Sequence, residues 1–402
     1  MLPFSWKKSK PLSGCRASAS TLRALEDDCM ARARLFDETL LLEKDEMPRR
    51  LDQAGLAELS RVRGDTIKSG RRVRRAMVKS ALVTGATGQD GSFLMELLLK
   101  KGYEVHGLVR RLSIPNIGNI QHLVDRVSLL DGDLIDQSSL NAAVKESEPD
   151  EVYNLAAQSF VATSFVQPVL TGEITGIGAV RVLEAVRAYA PDAKVYQASS
   201  SEMFGKVDRE PQDESTPFHP RSPYGVAKVY AYWACVNYRE AHRLFVSNGI
   251  LFNHESERRG LEFLTRKVSH GVAKIHHGLA KTITLGNLDA KRDWGYAPEF
   301  VDLVWRILQQ KDPDDFVGAT GEAHSVREFV EEAFRVAGIS DWEAHVKIDE
   351  KHFRPSEIYN LRGDARKAKR ILGWGAKTNF RELAKIMVEA DIEALDGSRK
   401  PK

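Results

Sequence analysis

Little in this chain points to disulfides, metals or membranes. Its three cysteines, Cys15, Cys29 and Cys235, are widely spaced and form no CxxC pair. That excludes a disulfide framework and favours a reducing, cytoplasmic setting. No apolar run approaches the roughly 18 residues of a membrane span, so no membrane association is expected. Lys7, Lys8 and Lys10 are not followed by an apolar stretch, which makes a poor signal peptide. No spacing of His, Cys and carboxylates suits a metal ion. His276 and His277 are adjacent, point to different sides of a helix, and read as surface residues. Internal repeats and low-complexity tracts are missing. A net charge of only +3 is no basis for nucleic-acid binding.

What is present is a core and an uneven charge. Of the 402 residues, 42% are hydrophobic, enough for one large domain or two modest ones. Residues 1–76 hold 17 Lys+Arg and 11 Asp+Glu, a net +6, which leaves −3 for the rest. This stretch shows scattered apolar positions between 22 and 42 and a basic run from 61 to 75. Three readings compete: a disordered or weakly helical leader, a start placed before the true beginning at Met77, and a basic arm that attaches to nucleic acid or membrane through Arg71, Arg72, Arg74 and Arg75. We set residues 1–76 outside the fold.

From Val78 the pattern alternates between short apolar runs and amphipathic helices. Strands are predicted at 78–84, 104–109, 127–130, 151–155, 194–198 and 244–252, with helices at 90–101, 139–146, 178–188 and 222–242. Gly102 closes the first helix, and Cys235 falls on the last as a small core residue. This βαβ succession predicts an α/β fold, a doubly wound parallel sheet of Rossmann type. After Asn253 the regularity loosens, with helices near 264–277, 298–310, 325–337 and 379–395. We therefore expect a dinucleotide-binding domain over 77–252, to which later segments return, and a smaller α/β substrate lobe over 253–396.

The turn at 84–91 reads TGATGQDG. Gly85 permits the tight turn, Gly88 lets a pyrophosphate approach the backbone, and Gly91 lets helix and strand pack closely. Thr87, Gln89 and Asp90 share that turn, and the helix start offers its N–H groups to phosphate. On spacing alone an ordinary strand–helix turn fits as well; the position after the first buried strand decides for a dinucleotide. About 20 residues further on, an NAD enzyme presents Asp or Glu to the ribose. This chain presents Arg110 and Arg111, which suit a 2′-phosphate, so NADP is favoured. Asp133 and Leu134, after the third strand, are placed to meet the adenine. Leu155, Ala156, Ala157, Gln158 and Ser159, after the fourth, line the nicotinamide side.

Tyr224 and Lys228 lie one turn apart on a single helix face. A nearby ammonium and a cationic cofactor ring would lower the phenol's pKa, making Tyr224 a base near neutrality. Ser200 and Glu202 follow the fifth strand, at the sheet edge where ligands bind. The hydroxyl shares a proton with Tyr224 and substrate. Glu202 reads equally as a loop carboxylate or as a second acid–base group. A simple alcohol dehydrogenase or epimerase does not need it.

With these residues in view, the chain from Val78 to Leu395 resembles the GDP-mannose 4,6-dehydratases, a family of extended short-chain dehydrogenases/reductases. Matching stretches include 84–91 (TGATGQDG), 151–159 (EVYNLAAQS), 196–205 (YQASSSEMFG), 220–233 (PRSPYGVAKVYAYW), 248–260 (NGILFNHESERRG), 285–295 (LGNLDAKRDWG) and 353–361 (FRPSEIYNL). The resemblance implies dehydration of GDP-mannose to GDP-4-keto-6-deoxymannose, with hydride transferred internally through NADP. It implies Ser200, Glu202, Tyr224 and Lys228 as catalytic residues and His254 and Arg259 as further cofactor contacts. It implies Ser159, Asn253, Lys267, Arg292, Arg354 and Glu357 as substrate contacts; without it, Lys267 and Arg292 read as solvated surface charges. The family's usual threonine is Ser200 here, which keeps the hydroxyl. A tyrosine of some members is Leu170, a common proline is Glu257, and the stretch Leu112-Ser113-Ile114-Pro115 departs from the family's serine-rich loop. A homo-oligomer, dimer or tetramer, is also implied. The rival readings are another NADP-dependent nucleotide-sugar epimerase or 4-keto reductase, and a non-catalytic NADP-sensing protein.

Overall fold

The computed structural model describes residues 78–399 apart from 354, 357 and 359. The leader expected over 1–76 lies outside the described residues. Six strands follow in order: β1 (Ser80–Thr84), β2 (Glu104–Val109), β3 (Ser128–Asp131), β4 (Glu151–Asn154), β5 (Lys194–Ser200) and β6 (Val246–Leu251). Then come β7 (Asn253–Glu255), β8 (Ile283–Leu285), β9 (Lys291–Arg292), β10 (Trp294–Tyr296), β11 (Phe316–Gly318), β12 (His324–Ser325), β13 (Val346–Ile348) and β14 (Asn360–Leu361). The main sheet has seven strands in the order β11-β6-β5-β4-β1-β2-β3. All its pairings are parallel. The direction of winding reverses between β1 and β4, which opens a crevice at their carboxyl ends.

Strand alternation divides the core into two layers. Ala81 and Val83 of β1 face the helices Gln89–Lys100 and Ala297–Leu308. Leu82, between them, faces the layer of Leu140, Val182 and Val186. Cys235 is fully buried in that second layer. A third cluster joins Val268, Phe329, Phe334, Leu383 and Met387. It is the core of the helices Leu264–His276, Val326–Val336 and Phe380–Arg399.

The expected strands and helices up to residue 252 are all present, with ends displaced by no more than two residues. Three features depart from the sequence reading. β11 joins the sheet edge beside β6, yet at three residues it carries no readable period. Residues 161–177 form two short helices running into a π-helical stretch, Gly172–Ile177, just ahead of the expected helix. His277, expected on the surface, keeps only 8% of its side chain exposed. No described helix is long and apolar enough to cross a membrane.

Candidate active site

The glycine turn is built by close approach. Gly85 has φ +69°, and a Cβ there would lie 2.9 Å from the Ala156 nitrogen after β4. A Cβ on Gly91 would lie 2.3 Å from the Gly85 oxygen, so only hydrogen lets the helix start pack into its own turn. The helix N-cap, Gly88, has no capping side chain, so the first amides are left to a ligand. At the far end of the crevice Arg110 is exposed beside Asp133 and the buried Leu134. Arg111 is not on the cleft wall. Arg181, which sequence reading missed, donates to the Leu134 oxygen at 3.2 Å and pairs with Glu173 at 2.9 Å.

At the near end, β5 runs out to Ser200, two residues beyond the expected strand end. Ser200 caps a short turn, its Oγ accepting from the Glu202 nitrogen at 3.2 Å. Glu202 is 6% exposed. Its carbonyl abuts Gly225, where a Cβ would come within 2.7 Å. The Tyr224 helix, Pro223–His242, therefore begins directly against Glu202. Ser222 caps that helix by accepting from the Gly225 nitrogen at 3.0 Å, and Pro223 opens it.

Tyr224 and Lys228 are both buried. Lys228 Nζ donates to the Ala198 carbonyl at 2.6 Å and lies 5.7 Å from the Tyr224 ring centre. Burial pushes the Tyr224 phenol up to about 12, against the hydrogen bond from Ser200 that favours the phenolate. Burial likewise pushes Lys228 down to about 8. The expected lowering involves a cationic cofactor ring as well as the ammonium; in the chain by itself burial sets the direction. Desolvation outweighs the Ser200 hydrogen bond and the positive charge of Arg259, while the Lys228 ammonium is directed to Ala198.

The third wall follows β6. His254 Nδ1 bonds the Phe252 oxygen at 2.8 Å, and Nε2 bonds Asp90 Oδ2 at 2.8 Å. Both partners accept only, so both ring nitrogens carry protons and the ring is an imidazolium. Its pKa is raised: burial opposes the charge, and the Asp90 carboxylate prevails. Asp90 in turn is held at about 2, because His254 outweighs the cost of burial. Gln89 Nε2 adds bonds to Asp90 Oδ1 at 2.9 Å and to the His254 carbonyl at 3.0 Å. The glycine turn and the strand bearing Asn253 are thereby clasped together. With both nitrogens engaged by protein, His254 acts on the cleft through Asp90.

Arg259 rests its guanidinium 3.7 Å from the Phe263 ring centre and pairs with the buried Glu255 at 3.2 Å. Glu255 also accepts from Thr265 Oγ1 at 2.6 Å. Lys267 is half-buried, and burial lowers its pKa. Arg292 is 6% exposed and donates to the Ile358 carbonyl at 2.7 Å. Arg354 and Glu357 lie outside the described residues; Lys351, Phe353 and Pro355 near them line the cleft.

Apart from Arg111, the described residues singled out for cofactor, substrate or catalysis lie on the walls of one cleft of about 1290 Å³. They are Gly85, Thr87, Gly88, Gln89, Asp90, Gly91, Arg110, Asp133, Leu134, Leu155, Ala156, Ala157, Gln158 and Ser159 on the dinucleotide side. Ser200, Glu202, Tyr224, Lys228, Asn253, His254, Arg259, Lys267 and Arg292 are on the other. The Asp90–His254 pair and the Glu255 anchor had no sequence signal, since 164 residues separate the first two.

The profile of a family described as GDP-mannose 4,6 dehydratase matches residues 82–387. The chain is 52% identical over 327 residues to GDP-mannose 4,6 dehydratase 1 of Arabidopsis thaliana, covering 78% of this chain and 90% of that protein. It is 50% identical over 341 residues to GDP-mannose 4,6 dehydratase of Homo sapiens, covering 78% and 92%. Among solved structures it is similar to UDP-glucose 4-epimerase of Thermus thermophilus in complex with NAD. There the TM-score is 0.69 at 26% identity, covering 77% of this chain and 98% of the epimerase.

Proposed function

This chain belongs to the GDP-mannose 4,6-dehydratase family, and from that premise we propose how its residues divide the chemistry. The protein is a hydro-lyase that converts GDP-mannose to GDP-4-keto-6-deoxymannose. Its cofactor is a nicotinamide dinucleotide, which the Gly85 and Gly91 cradle fits: any side chain there would fill the space the turn needs. When bound, the nicotinamide supplies a reversible acceptor for the electron pair that leaves sugar carbon 4 and returns at carbon 6.

The residues handle protons and position. Tyr224 takes the proton of the carbon 4 hydroxyl. Its buried phenol needs added positive charge to do so, and Lys228 with a cationic ring alongside supplies it. Ser200 bridges Tyr224 and substrate. The new carbonyl acidifies carbon 5, whose proton Glu202 accepts, and Glu202 then protonates the hydroxyl leaving carbon 6 as water. Lys267, Arg292 and Arg354 suit the diphosphate, with Ser159, Asn253 and Glu357 completing the substrate site. Arg110 at the end of β2, where NAD enzymes carry an acid, supports NADP. Asp133, Leu134 and the run 155–159 hold the adenine and nicotinamide ends, and Arg259 completes the cofactor side.

A cytoplasmic homo-oligomer, dimer or tetramer, completes the reading. Val226, Tyr230 and Trp233 support it: they lie on one outer face of the Tyr224 helix and are 56%, 53% and 57% exposed. Glu202 carries the proposal, because a buried carboxylate beside Tyr224 has no task in an epimerase or a 4-keto reductase. Purified protein incubated with GDP-mannose and either NADP⁺ or NAD⁺ should form the 4-keto sugar without net reduced cofactor, more efficiently with NADP⁺. Glu202→Gln should bind the cofactor normally and dehydrate roughly 10²–10⁴-fold more slowly. Turnover of that variant at the wild-type rate would overturn the assignment.

A further inference from the structure

Beneath the cleft a line of buried polar side chains crosses three strands, and none of them touches the cavity's reacting groups. Thr84 and Asn154 end β1 and β4, Gln197 lies beside Asn154 in mid-β5, and each of the three is no more than 2% exposed. Thr84 Oγ1 donates to Asn154 Oδ1 at 2.7 Å. Asn154 Nδ2 donates to Gln197 Oε1 at 2.7 Å. Gln197 Nε2 donates to the Ala198 carbonyl at 3.1 Å, the same oxygen that receives Lys228 Nζ at 2.6 Å.

The direction of every bond in this line is forced. Thr84 Oγ1 accepts from both the Leu155 and the Ala156 nitrogens, each at 3.1 Å. Its two lone pairs are thus occupied, and its own proton is left to donate. Asn154 must turn its oxygen to that proton and its NH₂ to Gln197. Gln197 must then turn its oxygen to Asn154 and its NH₂ to Ala198. Two backbone amides on the cleft wall at Leu155 and Ala156 therefore dictate, through two amide side chains, which way the Gln197 donor faces. Flipping either amide would place oxygen against oxygen in a dry interior.

We propose that Asn154 and Gln197 are positioning residues for Lys228: their fixed orientation pins the Ala198 carbonyl on which the ammonium rests and ties it to the Leu155–Ala156 wall. The proposal rests on Tyr224 and Lys228 being the proton-transfer pair. The charged or titratable groups around Lys228 are Tyr224 and Cys235 on its own helix and Asp90 from the glycine turn. None of them belongs to the line, so its effect on Lys228 passes through Ala198.

Two nearly isosteric variants separate positioning from packing. Asn154→Asp keeps the acceptor for Thr84 but loses the N–H to Gln197, whose amide then turns to serve the new carboxylate and sets Oε1 against the Ala198 oxygen. Gln197→Glu keeps the acceptor for Asn154 and sets a carboxylate oxygen in that same place. Either change puts a negative charge into the dry line that ends at the Ala198 carbonyl, and that charge holds the Lys228 proton more tightly. In full-length protein of wild-type circular dichroism, kcat should fall roughly tenfold while KM for GDP-mannose changes less than about threefold. The alkaline limb of the kcat profile should move to higher pH in both variants. An unmoved alkaline limb in both refutes the proposal, whether kcat is unchanged or falls in step with melting temperature. Failure of both variants to fold also refutes it, since the line would then serve the sheet alone. Lys228→Met is the control. Full turnover in that variant would remove the Tyr224–Lys228 reading itself, an outcome distinct from a failure confined to Asn154 and Gln197.

Discussion

Replacing Asp90 with asparagine should weaken the protein in a way that depends on pH from both sides. The Asp90 carboxyl, ordinarily near 3.8, is held at about 2 in the folded chain. Burial acts against that shift, and the bonds from His254 Nε2 and Gln89 Nε2 overcome it. A native pKa below the unfolded one means that the native state binds fewer protons between the two values. The stabilisation is present above the unfolded value and is lost as pH falls through the folded one. A depression of this size corresponds to about 2 kcal/mol at neutral pH, which in a unit of this length is roughly 5 °C of melting temperature. His254 has the opposite sign. Its folded pKa is raised above 6.5, so its share is complete below 6.5 and fades as pH rises through the folded value. Asp90→Asn removes both contributions. Melting curves of wild type and variant from pH 2 to 9 should therefore differ most near pH 5–6, with a gap that narrows toward either extreme. Parallel curves, or a gap that grows with alkalinity, would refute the ion-pair reasoning.

Two further variants probe the frame. Gly91→Ala sets a Cβ 2.3 Å from the Gly85 oxygen and 2.8 Å from the Ala86 Cα, both backbone, so the turn must open. Dinucleotide binding, followed by calorimetry, should be lost along with about 1–3 kcal/mol of stability; a variant that binds normally would show that the turn is not the cradle. Asp315 accepts from Arg239 at 3.0 and 2.9 Å, from Tyr232 at 3.1 Å, and from Asn248 N and Nδ2 at 2.9 and 3.0 Å. Asp315→Ala strands a partly buried guanidinium and should cost about 3–5 kcal/mol in urea denaturation, and an unchanged midpoint would contradict that.

Legibility followed the range of the interaction. The main-sheet strands up to β6 and the helices between them were readable because each buries one face against its neighbours, and that burial writes a period into adjacent residues. β11 was not, because three residues at an edge carry no period. The π-helical stretch Gly172–Ile177 escaped for another reason. Its register serves Thr175, whose hydroxyl accepts from the Gln158 nitrogen at 3.1 Å, and its packing on the Tyr224 helix at Gly176. Neither leaves a local pattern. The chemistry-bearing residues were visible as types at a spacing, as with Tyr224 and Lys228, but their electrostatics were not. Only burial shows that the phenol is pushed up and that the ammonium leans on Ala198.

By itself the sequence determined the class of fold, the place of the glycine turn and the one-turn spacing of Tyr224 and Lys228. All of these are set by steric and periodic demands acting within a few residues: a glycine where a Cβ has no room, a tyrosine one helical turn from a lysine. Tertiary structure alone decided which charges meet. Asp90 and His254 meet where the helix after β1 reaches the strand after β6, and Thr84, Asn154 and Gln197 become partners because parallel register sets them side by side. Once they are dry, each donor must find an acceptor, and that requirement orients the site.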